Sequence, residues 1–285
     1  MDILDHTGCE LGEGAFWHPE RGEFFWFDIM GRKLYCHDGE TVEARDLPML
    51  FSAAGWIDRE TLILSGEEGL FRYNLVTNLL SPLFLIEADD TSTRSNDGRA
   101  DPWGGFWAST MGRKAERGAG SIYRYFRGTL RKLHEGITIP NAICFDADRS
   151  LGYFADSARQ KVWKQALDSE TGWPVAAPEI FLDLKADGLV PDGAVTDAEG
   201  NVWIAHWGAG IVACYSPDGE RIGKIAVPAT QASCPAFGGE DLSTLYVTTA
   251  QEGMDAAALA ADIHAGKTFH HKVEARGVPA PRFIP

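Results

Sequence analysis

Short runs of aromatic and β-branched residues, each preceded by a polar turn, recur along this chain from end to end. They are Phe25-Trp26-Phe27, Leu62-Ile63-Leu64, Phe106-Trp107-Ala108, Tyr153-Phe154-Ala155, Val202-Trp203-Ile204 and Tyr246-Val247-Thr248. Runs this short and rich in strand formers predict β-strands. The turns before them are Pro19-Glu20-Arg21-Gly22, Asp58-Arg59-Glu60, Asp101-Pro102-Trp103-Gly104, Asp146-Ala147-Asp148-Arg149, Asp197-Ala198-Glu199-Gly200 and Gly239-Glu240-Asp241. These are hairpin compositions, in which Gly, Pro and Asp supply the tight backbone. A third strand follows each run, from Lys33–Cys36 in the first unit to Thr268–His271 in the last. A polar, edge-like fourth strand closes most units, as at Thr41–Leu47 and Arg221–Val227.

The six runs centre on residues 26, 63, 107, 154, 203 and 246, a period of about 44 residues. Several short strands per unit at that period are the signature of a propeller blade. The pattern predicts an all-β chain, a six-bladed β-propeller with four strands per blade. No stretch has linker composition, so residues 1–285 are expected to form one domain. The sixth unit runs out of chain after its third strand, and Asp2–His6 precedes the first unit without a blade of its own. The N-terminal strand is therefore expected to complete the last blade and close the ring. The Ala-rich stretch Met254–Ile263, bounded by Gly253 and Gly266, predicts a helix inserted into the last unit.

Composition narrows the function. Hydrophobic residues make up 45% and the net charge is −15, which suits a globular protein and opposes a basic nucleic-acid surface. An acidic chain also accommodates a cation site, although solubility alone accounts for most acidic surfaces. Cys9, Cys36, Cys144, Cys214 and Cys234 are scattered, so neither a disulfide framework nor a zinc ribbon is expected, and the thiols should be buried and free. The N-terminus has no signal-peptide pattern and no run is long enough to span a membrane, which makes a cytoplasmic location the default expectation. A monomer or weak oligomer without nucleic-acid or membrane partners follows. No nucleophile elbow, P-loop or dinucleotide fingerprint is present.

Aligning the units on their turns and stepping back five residues reaches the start of each innermost strand. The residues there are Glu13, Ala53, Asn96, Asn141, Asp192 and Cys234. In a propeller the innermost strands line the central channel, so Glu13, Asn96, Asn141 and Asp192 should meet at one depth. A single Asx at a strand start ordinarily caps a turn. Four oxygen-bearing side chains in one register suit a hard cation, and two carboxylates forced together repel unless a cation or proton is shared. Arg94, two residues before Asn96, is either an exposed loop residue or a binder of carbonyl and carboxylate oxygens. Trp56, Trp103 and Trp207 are expected to pack between blades, with an entrance to the channel as the other option. His18, His206 and His270-His271 match no metal spacing and are expected to be structural or on the surface.

The ordered motifs Leu11-Gly12-Glu13-Gly14, Arg94-Ser95-Asn96-Asp97-Gly98, Pro140-Asn141-Ala142, Pro191-Asp192-Gly193 and Cys234-Pro235-Ala236-Phe237-Gly238-Gly239 resemble the senescence-marker-protein, gluconolactonase and regucalcin family of six-bladed propellers. The resemblance spans essentially the whole chain. It implies hydrolysis of a sugar lactone with one divalent cation in the channel, Ca²⁺ first, with Zn²⁺, Mn²⁺, Mg²⁺ or Fe²⁺ as alternatives. It further implies Glu13, Asn141 and Asp192 as metal ligands, Arg94 and Asn96 as substrate binders, and Asp192 as general base. The chain has Asn141-Ala142 where the family usually has Asn-Gly. An acidic residue that contacts substrate in some members has no clear counterpart in Met111–Gly120. Other calcium-dependent esterases or phosphotriesterases, a non-catalytic calcium-binding propeller and a protein-binding propeller are the alternatives from other classes.

Overall fold

The second strand of each unit is apolar at nearly every position because it has neighbours on both faces. A computed structural model spanning Met1–Pro285 shows this first at Glu23–Asp28. Phe24 and Trp26 join the cluster shared with the sixth blade, and Phe25 and Phe27 join the cluster shared with the second. Successive side chains of a strand point to opposite faces. The same division separates Val202 and Ile204 from Trp203 and Ala205 in the fifth blade. A sheet covered on both sides needs this continuous apolarity.

Six four-stranded antiparallel sheets result. Their innermost strands are Gly12–His18, Phe51–Asp58, Thr93–Ala100, Pro140–Asp146, Val190–Thr196 and Ala232–Gly238. Each touches the innermost strands of the blades before and after it, and the sixth touches the first, so the ring is closed. One hydrophobic cluster fills each of the six junctions between blades. The molecule is the six-bladed β-propeller that the repeat predicts. Closure also follows expectation: Asp2–Asp5 pairs antiparallel with Thr268–Lys272, Asp2 opposite His270 and Ile3 opposite Phe269, as the outer strand of the last blade.

The inserted helix is Ala256–Ala261, capped by the Asp255 carboxylate, which accepts from Ala258 N at 2.8 Å. All five cysteines are free and buried. No helix is long and apolar enough to cross a membrane.

The repeat gives no hint of the path taken by the C-terminal tail. Ala198 N donates to Arg276 O (2.7 Å) and Gly277 N to Leu242 O (2.8 Å); further on, Trp56 Nε1 donates to Ala280 O (2.8 Å) and Ile284 N to Gly104 O (2.9 Å). The tail thus crosses from the fifth and sixth blades to the second and third. It does so over the turns that end the innermost strands. Phe283 is fully buried there against Phe106 and Tyr125. Beneath it, Arg99 donates to Ile143 O (2.8 Å) and Ala194 O (2.9 Å), tying the innermost strands of three blades together.

Candidate metal and substrate site at the channel mouth

The opposite end of the channel is built by the starts of the innermost strands. Five of the six lose register with their second strand across the same stretch: Glu13 to Phe16, Ser95 to Gly98, Asn141 to Cys144, Pro191 to Ala194 and Ala232 to Pro235. Such bulges bend the strand and re-aim its side chains. Gly14 (φ 61°) makes the turn beside Glu13, where a Cβ would stand 2.3 Å from Ser52 O, so only glycine fits. Ala142 (φ 56°) takes the same left-handed conformation beside Asn141. This accounts for the family's usual glycine at that place; the methyl group costs about 1–2 kcal/mol in that conformation.

Asp28 and Asp156 fix the approach to two of these strands. Asp28 accepts from Glu10 N (3.0 Å) and Leu11 N (3.1 Å), and Asp156 from Thr138 N (3.1 Å) and Ile139 N (3.2 Å).

Glu13, Arg94, Asn96, Asn141 and Asp192 all line one cavity of about 330 Å³. The structure therefore gathers every site residue expected from the sequence. Ala53 and Cys234 do not reach the cavity: Ala53 lies in the core between the second and third blades, and Cys234 is buried against Gly193. In the sixth blade Ser233 seals the wall instead, donating to Gly12 O at 2.5 Å.

A directed chain of hydrogen bonds crosses the cavity floor. Arg94 Nη1 donates to Asn96 Oδ1 (2.9 Å), and Asn96 Nδ2 donates to Asn141 Oδ1 (2.9 Å) and to Pro140 O (2.9 Å). Asn141 Nδ2 donates to Ser157 Oγ (2.9 Å), which donates to Pro191 O (2.6 Å). Arg94 Nη1 also donates to Ser95 O (2.8 Å). The other guanidinium nitrogens of Arg94 have no acceptor within the protein and are available to an incoming oxygen.

The carboxylates are poorly compensated. Glu13 Oε2 accepts only from its neighbour Gly14 N (3.1 Å), and the buried Asp192 carboxylate accepts no hydrogen bond. Burial, then Asp97, pushes Glu13 up to about 8. Burial, then Glu13, Asp97 and Glu252, pushes Asp192 well above the usual carboxylate range, with Arg94 opposing. Burial also raises Asp97 to about 6, against Arg99 and the amides of Ile143 and Gly98. Arg94 is held below its ordinary value by burial, and Glu252, Glu13 and Asp192 counter that fall.

Two carboxylates short of donors, beside an amide oxygen, form an all-oxygen donor set of the kind hard cations take. Three or more His, Cys, Asp or Glu side chains do not gather anywhere into a site of their own. Glu13, Asp192 and Asn141 offer oxygen alone, a donor set that suits a hard cation and lacks the thiolates and imidazoles of structural zinc sites.

Several lining residues escape a repeat-based reading. Ser157, Glu252, Arg113 and Lys114 come from connections after second strands, and Trp207 from the last position of one. Within Met111–Gly120 the one acid, Glu116, is exposed and accepts from Lys114 N (3.0 Å). Beside Glu13 and Asp192, a third acid of the lining is Glu252, from the sixth blade. Of the tryptophans, Trp207 lines the cavity, Trp56 holds the tail and Trp103 packs on Phe145. His18 bonds Asp58 O (3.1 Å) and His206 the Tyr215 hydroxyl (2.9 Å), both as buried structural residues.

A closed six-bladed propeller with an acid, amide and guanidinium cavity at one channel mouth is the class that fold and site define. The chain belongs to the SMP-30/Gluconolactonase/LRE-like family, whose pattern matches residues 11–251. It is 41% identical over 282 residues to a Rhizobium meliloti (strain 1021) protein whose name proposes a sugar lactone lactonase, covering 98% of this chain and 96% of that one. It is 34% identical over 281 residues to the pentonolactonase of Haloferax volcanii, with 96% and 94% covered. A crystal structure of a calcium-binding protein, regucalcin, from Agrobacterium tumefaciens str. C58 superposes with a TM-score of 0.97 at 39% identity, covering 99% of this chain and 97% of that one.

Proposed function

We propose that this chain hydrolyses a sugar lactone, of the aldonolactone kind, to the aldonic acid, with one divalent cation, Ca²⁺ first, at the channel mouth. The observation that carries the reading is the Glu13–Asp192 pair, two carboxylates without adequate donors beside Asn141 Oδ1 and a guanidinium with free nitrogens. The lactonase names of relatives matched over nearly the full chain support the reaction class.

Glu13, Asp192 and Asn141 would hold the cation, which when bound would polarise the lactone carbonyl as a Lewis acid. Asp192 would take a proton from the attacking water as general base. The water oxygen then bonds to the carbonyl carbon, and as the ring C–O bond breaks the proton held by Asp192 would pass to the leaving ring oxygen, giving the acid and a hydroxyl and restoring the carboxylate. Arg94 and Asn96 would bind the sugar oxygens and lower the entropic part of the barrier by holding the carbonyl in place. The hydrogen bond from Arg94 to Asn96 fixes that pair before substrate arrives. Trp207 and Met111 give the cavity apolar wall that limits competing water.

A pH-indicator assay over a panel of aldonolactones tests this, using EDTA-stripped protein with single divalent metals restored. Acid release that requires a metal supports the reading. A metal-binding protein that releases no acid from any lactone contradicts it and leaves a calcium-binding propeller. Activity on organophosphates and not on lactones would point to a phosphotriesterase instead.

A further inference from the structure

Ser157 follows the second strand of the fourth blade and opens the single 3₁₀ turn Ser157–Arg159. It is buried, and its oxygen lies 2.6 Å from Pro191 O and 2.9 Å from Asn141 Nδ2. A backbone carbonyl can only accept, so the one hydroxyl proton goes to Pro191. The serine oxygen is then an acceptor toward Asn141, and the atom facing it must be the amide nitrogen. On the other side of Asn141 the polarity is set independently. Arg94 can only donate, so Asn96 turns its oxygen to Arg94 and its nitrogen to Asn141. The Asn141 amide is thus fixed from both sides, with its oxygen on the side of Asn96.

We propose that Ser157 is a positioning residue that, with Asn96 on the other side, holds the polarity of the Asn141 amide and keeps its oxygen available to a divalent cation. The proposal rests on the reading of Asn141 as a metal ligand. A flipped amide would turn an NH₂ group toward the cation and would leave two nitrogen donors, those of Asn96 and Asn141, facing each other. Partners that orient a ligand in this way are generally worth 10–100-fold in metal affinity. A serine that merely joined the fourth blade to the fifth through Pro191 would matter equally whatever side chain stood at position 141. A carboxylate at position 141 has no polarity to set, and this separates the two roles.

The test is calorimetric titration of Ca²⁺ into metal-stripped protein, for the wild type, Ser157→Ala, Asn141→Asp and the double variant, with circular dichroism confirming the fold. Ser157→Ala is expected to weaken Ca²⁺ binding about 10–100-fold in the wild-type background and about twofold or less in the Asn141→Asp background. No loss in the wild-type background, or an equal loss in both backgrounds, overturns the proposal. Ser157→Thr keeps the hydroxyl and is expected to bind within about threefold of wild type; a loss as large as that of the alanine variant also overturns it. Asn141→Ala is the control for the underlying reading. If it binds Ca²⁺ as wild type does, Asn141 is not a ligand, and that failure is distinct from a failure of Ser157 alone.

Discussion

Asn96 Nδ2 stands 2.9 Å from Asn141 Oδ1, so two side chains from successive blades meet by hydrogen bond at the channel mouth. Asn96 also accepts from Arg94 and donates to Pro140 O. Replacing it by alanine leaves a buried guanidinium and a buried carbonyl each short of a partner. The cost of such groups is about 1–3 kcal/mol. Asn96→Ala is expected to lower kcat/KM by about 10–100-fold while the far-ultraviolet circular dichroism is unchanged. Unaltered kinetics would remove Asn96 from the site.

Arg94 is expected to act on binding. In the proposed reaction its free nitrogens would meet oxygens that substrate and transition state share, so Arg94→Ala should raise KM by about tenfold or more with a smaller change in kcat. Lysine should rescue poorly, because an ammonium cannot keep the planar donor to Asn96 Oδ1 and also reach substrate. Steady-state kinetics on a lactone that the wild type turns over separates the two parameters.

The tail should matter for stability and hardly at all for chemistry. Phe283 is fully buried between Phe106 and Tyr125 at the end of the channel remote from the site. Phe283→Ala is expected to cost about 3–5 kcal/mol in denaturant unfolding. The kcat of the folded variant should match wild type. A loss under about 1 kcal/mol would mean that the tail is not held as described.

His206 gives the stability a defined pH dependence. It is fully buried, and burial lowers it from 6.5 to about 4. Between those values the unfolded chain binds the proton and the folded chain does not, so stability is complete above about pH 6.5 and falls as the pH drops toward 4. The contribution lost between pH 8 and pH 5 is about 2 kcal/mol. His206→Gln should shrink the pH 8 to pH 5 difference in unfolding free energy by about that amount. An unchanged difference would show that His206 titrates normally in the folded protein.

The blades were legible because each depends on local chemistry, a polar turn followed by a strand apolar on both faces, repeated often enough to show its period. Glu13, Asn96, Asn141 and Asp192 were legible because they occupy one register of that repeat. The register failed at Cys234, where the sixth blade presents Ser233 to Gly12 O and buries the thiol. Ser157 and Glu252 were not legible: they stand on connections, and connections do not repeat. The tail was hidden for a different reason. Its anchors at Trp56 and Gly104 lie more than half the chain away, and no local signal marks a segment that packs across the ring.

Asp192 carries the central claim, as ligand and base at once. The direct measurement is acid release from an aldonolactone by Asp192→Asn and wild type, both with Ca²⁺ occupancy matched by titration. A fall in kcat of at least about 100-fold is expected, the scale of a lost general base. Hydrolysis by the asparagine variant at the wild-type rate would contradict it.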